Sequence, residues 1–478
     1  MKPHLLLVGF GPHAQSKHMP LINDAIRSGD ISGFTILDLK SKEAQIRSIA
    51  ETIPFRPTEI ILVPDERSLG HYYSNHSDIA LANLQKRHPK LKAIISTEPK
   101  AHVGYLRALL TAGIDCLVDK PAVLPMDSQG RVESGRVVAD LEDLINRAQA
   151  SGAKCSVMTP RRYNHLYRSV VAYAQKVARQ LCCPVTHVGI RHHGGVWNTP
   201  QEFLSREDHP YKYGYGMLCH SGYHYVDILS SVLRINEEIC GDLGLEAKTA
   251  SISAADHIAT LGMAAYDKLK GSPAVNQRRS HDQVLAYDNW GEVDLSTVIT
   301  ASDTTTNRRV TLCSMDLIQS STSLRGWAEL PENVYNRNGR FSQEEIRINV
   351  GPFVSIQANI LKSPSSIDGT NIRFEKTANI DIWRNASIFG QRAHSHRRID
   401  SAQSDSYKID FDSDRRTLFK QWVLGQETRS TLASHMATTK LFQLLLQSLE
   451  ETEPMHVPVR GQFHSQENNI HQPTCGVT

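Results

Sequence analysis

Three side chains in this sequence have the chemistry and setting to move protons: Lys120, His220 and His224. Lys120 ends the run Ile114-Asp115-Cys116-Leu117-Val118-Asp119-Lys120-Pro121. Proline holds the residue before it in extended backbone, so it fixes the direction of the lysine. At the carboxyl end of a parallel strand, that lysine stands where open α/β sheets bind ligands. Partly desolvated beside another cation, it would have a lowered pKa and exchange protons with a substrate hydroxyl. His220, His224 and Asp227 follow one another at helical spacing, so one helical face would present all three. Gly214 and Gly216 precede them and permit close approach of a ligand. Two histidines four apart also suit a metal, but no third ligand has convincing spacing and His-Glu-x-x-His is absent. No metal is therefore expected. The competing reading is structural: a solvated loop lysine, with histidines packed beneath a second domain.

A second constellation lies at the start, Gly9-Phe10-Gly11-Pro12-His13-Ala14. The first glycine permits a tight turn, the second lets a pyrophosphate approach the backbone, and Ala14 allows close helix packing. The free N–H groups of the helix that follows would face the phosphates, and Pro12 suits a helix start. Asp38 closes the second apolar run, where a carboxylate would accept ribose hydroxyls. That favours NAD. Lys40 and Lys42 just beyond would instead suit the extra phosphate of NADP.

These residues need a scaffold. Residues 4–125 alternate apolar strands with helical patterns, as a parallel sheet requires. Expected strands are His4–Gly9, Phe34–Leu39, Glu59–Val63, Ala93–Ser96, Cys116–Val118 and Ala153–Thr159. Helices are expected at Ala14–Ser28, Val103–Ala112 and Val138–Ser151, with 126–135 as a surface loop. Beyond these come helices at Leu166–Leu181 and Gly214–Val232 and a strand at Val185–Arg191. Alternating strands follow at Val293–Ala301, Val310–Met315, Glu344–Asn349, Val354–Leu361 and Ile380–Trp383, then a helix at Thr431–Leu449. Segments 271–284, 362–371 and 392–406 read as loops or insertions. The fold class is thus α/β plus α+β. A dinucleotide-binding domain spans 1–160, a largely antiparallel sheet domain 161–458, and a loose tail 459–478.

The chain has 478 residues, with 53 basic and 50 acidic side chains. So even a balance argues against a nucleic-acid or membrane partner. No apolar run approaches a membrane span, and the first residues lack the long apolar core of a secretory signal, so a cytoplasmic protein is expected. Eight cysteines without Cys-x-x-Cys read as reduced thiols.

The ordered set resembles the Gfo/Idh/MocA oxidoreductases, named for glucose-fructose oxidoreductase and inositol dehydrogenase, over most of the chain. The turn Gly9–Ala14 resembles the family's start. Ile95-Ser96-Thr97-Glu98-Pro99-Lys100-Ala101-His102 resembles apolar-x-Thr-x-Pro-x-x-His, and Asp119-Lys120-Pro121 resembles Glu-Lys-Pro. Arg161-Arg162-Tyr163-Asn164 and the stretch from Gly214 to Asp227 match two further segments. The resemblance implies a Rossmann domain, an open-faced sheet domain and an active site between them. It implies proton transfer by Lys120 and His224; His220, a departure from the family, is expected to help position the substrate oxygen. Thr97, Pro99, His102, Asp119 and Lys120 would join Gly9, Gly11, Pro12, His13, Ala14 and Asp38 around the cofactor. Arg162, Tyr163, Trp197 and Asp227 are expected on the substrate wall. The implied substrates are sugars, cyclitols and related polyols, phosphorylated or acidic ones included. The implied assembly is a homo-oligomer packed through the open sheet. Asp119 replaces the usual Glu, and His220 stands where the family commonly has Asp. Alternatives on the same fold are an NAD-dependent glycosidase, an imine reductase and a non-catalytic cofactor sensor.

Overall fold

Short apolar runs at the start of the chain form central strands, buried on both faces as parallel strands are. A computed structural model describes residues 2–65, 73, 75–198, 200–206, 209–267, 289–323, 341–368, 371–390, 392–400 and 411–450. In chain order the first layer is β1 (His4–Val8), α1 (Met19–Arg27), β2 (Gly33–Leu39), α2 (Glu43–Thr52), β3 (Glu59–Val63) and α3 (Asn75–Arg87). It continues with β4 (Leu91–Ile95), α4 (Pro99–Thr111), β5 (Asp115–Asp119), α5 (Val137–Ser151) and β6 (Cys155–Met158). The strands pair in the order β3-β2-β1-β4-β5-β6, all parallel. The order reverses between β1 and β4, so a crevice opens above their carboxyl ends.

The chain then crosses into α6 (His165–Leu181), capped by the Asn164 side chain, which accepts from the Leu166 N–H at 3.1 Å. The elements that follow are β7 (Val185–His193), α7 (Pro200–Ser205), α8 (Tyr223–Cys240), β8 (Leu243–Ser253), α9 (Ala254–Asp267), β9 (Glu292–Asp303) and β10 (Arg308–Ile318). Next are β11 (Ser342–Val350), β12 (Val354–Asp368), β13 (Asn371–Arg384), α10 (Ala386–Phe389), β14 (His394–Asp400), α11 (Phe411–Val423) and α12 (Met436–Glu450). Eight strands form a second sheet, β14-β13-β12-β11-β7-β10-β9-β8, antiparallel except between β7 and β10. Alternation decides its faces: Ile299 and Ala301 are fully buried on β9 beneath α8 and α12, while Val298 is 49% exposed on the opposite face.

Several expectations shift. Segment 362–371 is no loop within its described residues, because β12 runs on to Asp368 and β13 starts at Asn371. Segment 392–406 contains β14, although few of its residues are apolar. Its ladder bonds to β13 and two histidines on one carboxylate, His394 and His396 each 2.9 Å from Asp381, supply the order. Segment 271–284, residues 401–406 and the tail from 459 lie outside the described residues. Residues 411–432 sit within 161–458 yet pack on the first sheet. Leu418, Phe419 and Trp422 share a core with Leu5, Leu7 and Phe10, and Leu432 N–H donates to Cys155 C=O at 2.9 Å. Among the described residues, no helix is long and apolar enough to cross a membrane.

Candidate active site

The glycine turn is set by its neighbours. Gly9 has φ +85°, and a Cβ there would lie 2.6 Å from the Ser96 carbonyl oxygen, so only glycine fits between β1 and β4. Asp38, 7% exposed, accepts the N–H of Phe10 through Oδ2 and of Leu39 through Oδ1, each at 2.7 Å. The acid at the end of β2 therefore also pins the turn. Gly11 faces open space: a Cβ built on it meets nothing within 4 Å.

Both helices that carry site residues open with a wider, π-type turn where the sequence suggests continuous helix. Met19 N–H reaches back to Ala14 C=O, and Gly222 N–H to Met217 C=O at 2.9 Å, each over five residues. At the second turn a Cβ on Gly222 would lie 2.7 Å from that Met217 oxygen. Such turns commonly mark functional sites. Of the expected face, the two histidines stay together on one cavity and Asp227 does not. His220 lies in the wide turn, His224 in the first turn of α8, and Asp227 points elsewhere. Gly216 lies against β9, where a Cβ would be 2.0 Å from Glu292 C=O. The Glu292 carboxylate accepts the Leu218 N–H at 2.7 Å and, being buried, is pushed up to about 7.

One cavity of about 460 Å³ gathers these groups. Gly9, Gly11, Pro12, His13, Asp38, Thr97, Pro99, Asp119, Lys120, His220 and His224 all line it. Lys120, joined to Pro121 by a cis peptide, donates from Nζ to Cys219 C=O at 3.3 Å and to His220 C=O. The first sheet's lysine thus grips the turn before α8. Burial, then Arg161, Lys120, Arg415 and His209, drive the His224 pKa well below 6.5. Burial would raise Asp119, but His18 at 3.0 Å, His13 at 3.6 Å and the Ser96 hydroxyl at 2.6 Å hold it well below the usual carboxylate range.

Other expected residues lie off this lining. Ala14 is fully buried in the core under the turn. His102, also fully buried, turns its ring nitrogens toward the carbonyls of Pro121 (2.8 Å) and Thr97 (3.0 Å), behind the wall. Arg162 and Asp227, expected on the substrate wall, form a two-pronged ion pair at 2.8 and 2.6 Å. Tyr163 donates to Gln421 Oε1 and accepts from Arg429 N–H, both at 2.8 Å. Trp197 donates to Ser321 C=O at 2.5 Å and packs on the His257 ring. The cavity contains residues that sequence reasoning did not assign: Glu98, which accepts the Tyr215 hydroxyl at 2.6 Å, His209, Tyr213 and Arg415. Glu98 sits inside a motif already noticed; Arg415 carried no signal, because its helix was not read. Of the two lysines after β2, Lys42 lines the cavity. Although no metal was expected, His13, His18 and Asp119 lie close enough to hold one. Their contacts equally describe an ion-paired carboxylate.

A dinucleotide fits these residues: open backbone at Gly11, a helix start for its phosphates and a carboxylate at the end of β2. No protein-family model and no curated protein matches the chain. Solved structures do. WlbA dehydrogenase from Bordetella pertussis, in complex with NADH and UDP-GlcNAcA, is 14% identical, with TM-score 0.50 over 94% of this chain and 96% of its own. GenD2 from gentamicin A biosynthesis, in complex with NAD, is 12% identical, with TM-score 0.53 over 94% and 95%. Aldose-aldose oxidoreductase from Caulobacter crescentus, with glycerol, is 13% identical, with TM-score 0.50 over 94% and 98%. At these identities the likeness is one of fold, which in this chain is a six-stranded parallel sheet joined to a large, mostly antiparallel one.

Proposed function

We propose that the chain is an NAD-dependent oxidoreductase of the Gfo/Idh/MocA type, acting on a hydroxyl of a sugar, cyclitol or related polyol. One observation carries the reading: a single cavity brings the glycine turn, Asp38 and Lys120, at strand ends of the first sheet, together with His220 and His224, at the start of α8. The three solved structures support the choice of reaction: one is a dehydrogenase and one an oxidoreductase, and two were determined with NADH or NAD. A nicotinamide bound there supplies the hydride acceptor or donor.

The chain's own residues do the rest. The His224 ring, kept neutral by burial and nearby cations, accepts the substrate hydroxyl proton on an imidazole nitrogen. The Lys120 ammonium, held by two carbonyls, stabilises the same oxygen as negative charge develops. His220, 4% exposed, packs against Tyr211 and His209 and positions that oxygen. Asp38 orients the ribose and favours NAD over NADP.

The test is NADH binding by calorimetry, followed by kinetics of Lys120→Ala. NADH should bind more tightly than NADPH. The variant should lose turnover by about 10³-fold, within the range for a removed donor to a developing oxyanion, while keeping NADH affinity. A folded wild type that binds neither cofactor would end the enzyme reading. A fully active Lys120→Ala would remove Lys120 from the chemistry.

A further inference from the structure

Arg415 sits where a helix normally places an apolar residue. On α11, Leu418, Phe419 and Trp422 lie three, four and seven residues beyond it, and all are buried in the first-sheet core. Arg415 therefore shares the inward stripe, and its side chain is only 13% exposed. Its Nη1 pairs with Asp412, one turn earlier. Its Nε is buried and has no hydrogen-bond partner among the described residues. A buried donor on a charged group is costly to leave unpaired, and because Arg415 lines the cavity, this edge of the guanidinium can be satisfied by a ligand there. The cavity wall around it also carries Lys120, His209, His220 and His224. The nearby carboxylates are engaged: Asp119 by His18 and Ser96, Glu98 by Tyr215. Apart from Asp412 on Nη1, no carboxylate among the described residues reaches the Arg415 guanidinium, and none reaches its Nε.

We propose that Arg415 selects a substrate bearing a carboxylate or phosphate close to the reacting hydroxyl. The inference rests on the oxidoreductase reading above and deepens it. A guanidinium edge matches two oxygens of either anion, which a lysine at the same place could not do. Arg162, the arginine whose sequence position suggested that task, is committed to Asp227. Arg415 arrives instead from the far end of the chain, and its helix is anchored in the core of the cofactor-binding sheet. A substrate anion there would also offset the cations facing His224, coupling correct binding to a more basic ring.

The experiment is calorimetry on NADH-loaded protein with D-glucose, D-glucuronate and D-glucose 6-phosphate, using wild type, Arg415→Gln and Arg415→Lys. At least one anion should bind wild type 10-fold or more tighter than glucose; which one tells carboxylate from phosphate. Arg415→Gln should erase that advantage and Arg415→Lys restore only part of it. NADH affinity should change less than twofold, which also reports that the variants fold. If neither anion outperforms glucose, or the preference survives Arg415→Gln, the proposal is overturned. If Arg415→Gln instead weakens NADH 10-fold and leaves sugar preference intact, the residue serves the cofactor phosphates and the proposal falls. Failure of the underlying reading is separate, since it appears as absent NADH binding before any sugar is added.

Discussion

The imidazole of His224 sits where added charge is unwelcome. Protonation would cost burial first, then repulsion from Arg161, Lys120, Arg415 and His209. The pKa is lowered, so the ring stays neutral, and able to accept a proton, as pH falls through 6.5. An ordinary histidine would lose about fourfold of its neutral form between pH 8 and 6. The kcat/KM of this protein should instead fall less than about twofold over that span, with the acid limb well below 6.5. A break at or above 6.5 that belongs to His224 would show that the ring is not shielded as described. Asp38 illustrates how one residue serves two levels. Its oxygens hold the backbone of the turn, and its charge stands where a ribose would lie.

At the scale of elements, the site depends on α8 being held at a fixed height against the segment after β6. Arg162 and Asp227 make that link. Both are mostly buried, at 14% and 2% side-chain exposure, and Thr438 of α12 donates to the same carboxylate at 2.7 Å. Removing one partner of a buried pair strands the other charge, typically at 3–5 kcal/mol. Asp227→Asn should therefore cost about 3 kcal/mol in urea unfolding, with NADH affinity intact because the pair lies off the cavity lining. A loss below 1 kcal/mol would mean that the clamp is incidental. This link also marks what the sequence could and could not say. The strands of the first sheet were legible, because runs such as Leu5-Leu6-Leu7-Val8 are buried on both faces and cut by glycine or polar residues. The glycine turn, Lys120 and His224 were legible because local backbone rules place them at strand or helix ends. Arg162, Tyr163 and Trp197 were not, because which side a residue faces after β6 and β7 depends on packing against residues 290–435. Helix α11 was missed for the same reason: its apolar residues find partners some 400 positions earlier in the chain.

For the whole molecule, the same burial that tunes His224 creates an acid-sensitive fold. His435 is fully buried between Ser430 Oγ (2.8 Å) and the Tyr223 hydroxyl (3.1 Å). Burial, then Arg162, bring its pKa down to about 3, against a weaker opposing pull from Asp227. His4, stacked on His88, is brought down to about 4 by burial, then by His88 and Arg87. A histidine with a lowered folded pKa is neutral in the native state, yet takes a proton in the unfolded chain below about 6.5. The unfolded state then binds more protons, so stability falls as pH drops from 6.5 toward the folded values of about 4 and 3. Carboxylates held low add a later loss of the same sign, while Glu292, raised to about 7 by burial, opposes the histidines because the folded state takes its proton first. Glu344, held at about 2 by Arg161 and His192 against its own burial, contributes stability that disappears as pH falls below the ordinary carboxylate value. Thermal unfolding from pH 7.5 to 4 should thus show decline setting in near 6.5, well before the carboxylates held low titrate. His435 alone accounts for roughly 2 kcal/mol between pH 7.5 and 5. His435→Gln should be less stable at pH 7.5, because Ser430 and Tyr223 lose a partner, yet should flatten the upper limb by about that amount. Wild-type and His435→Gln curves of equal slope between pH 7.5 and 5 would contradict a neutral buried His435, and with it the claim that burial holds imidazoles such as His224 uncharged.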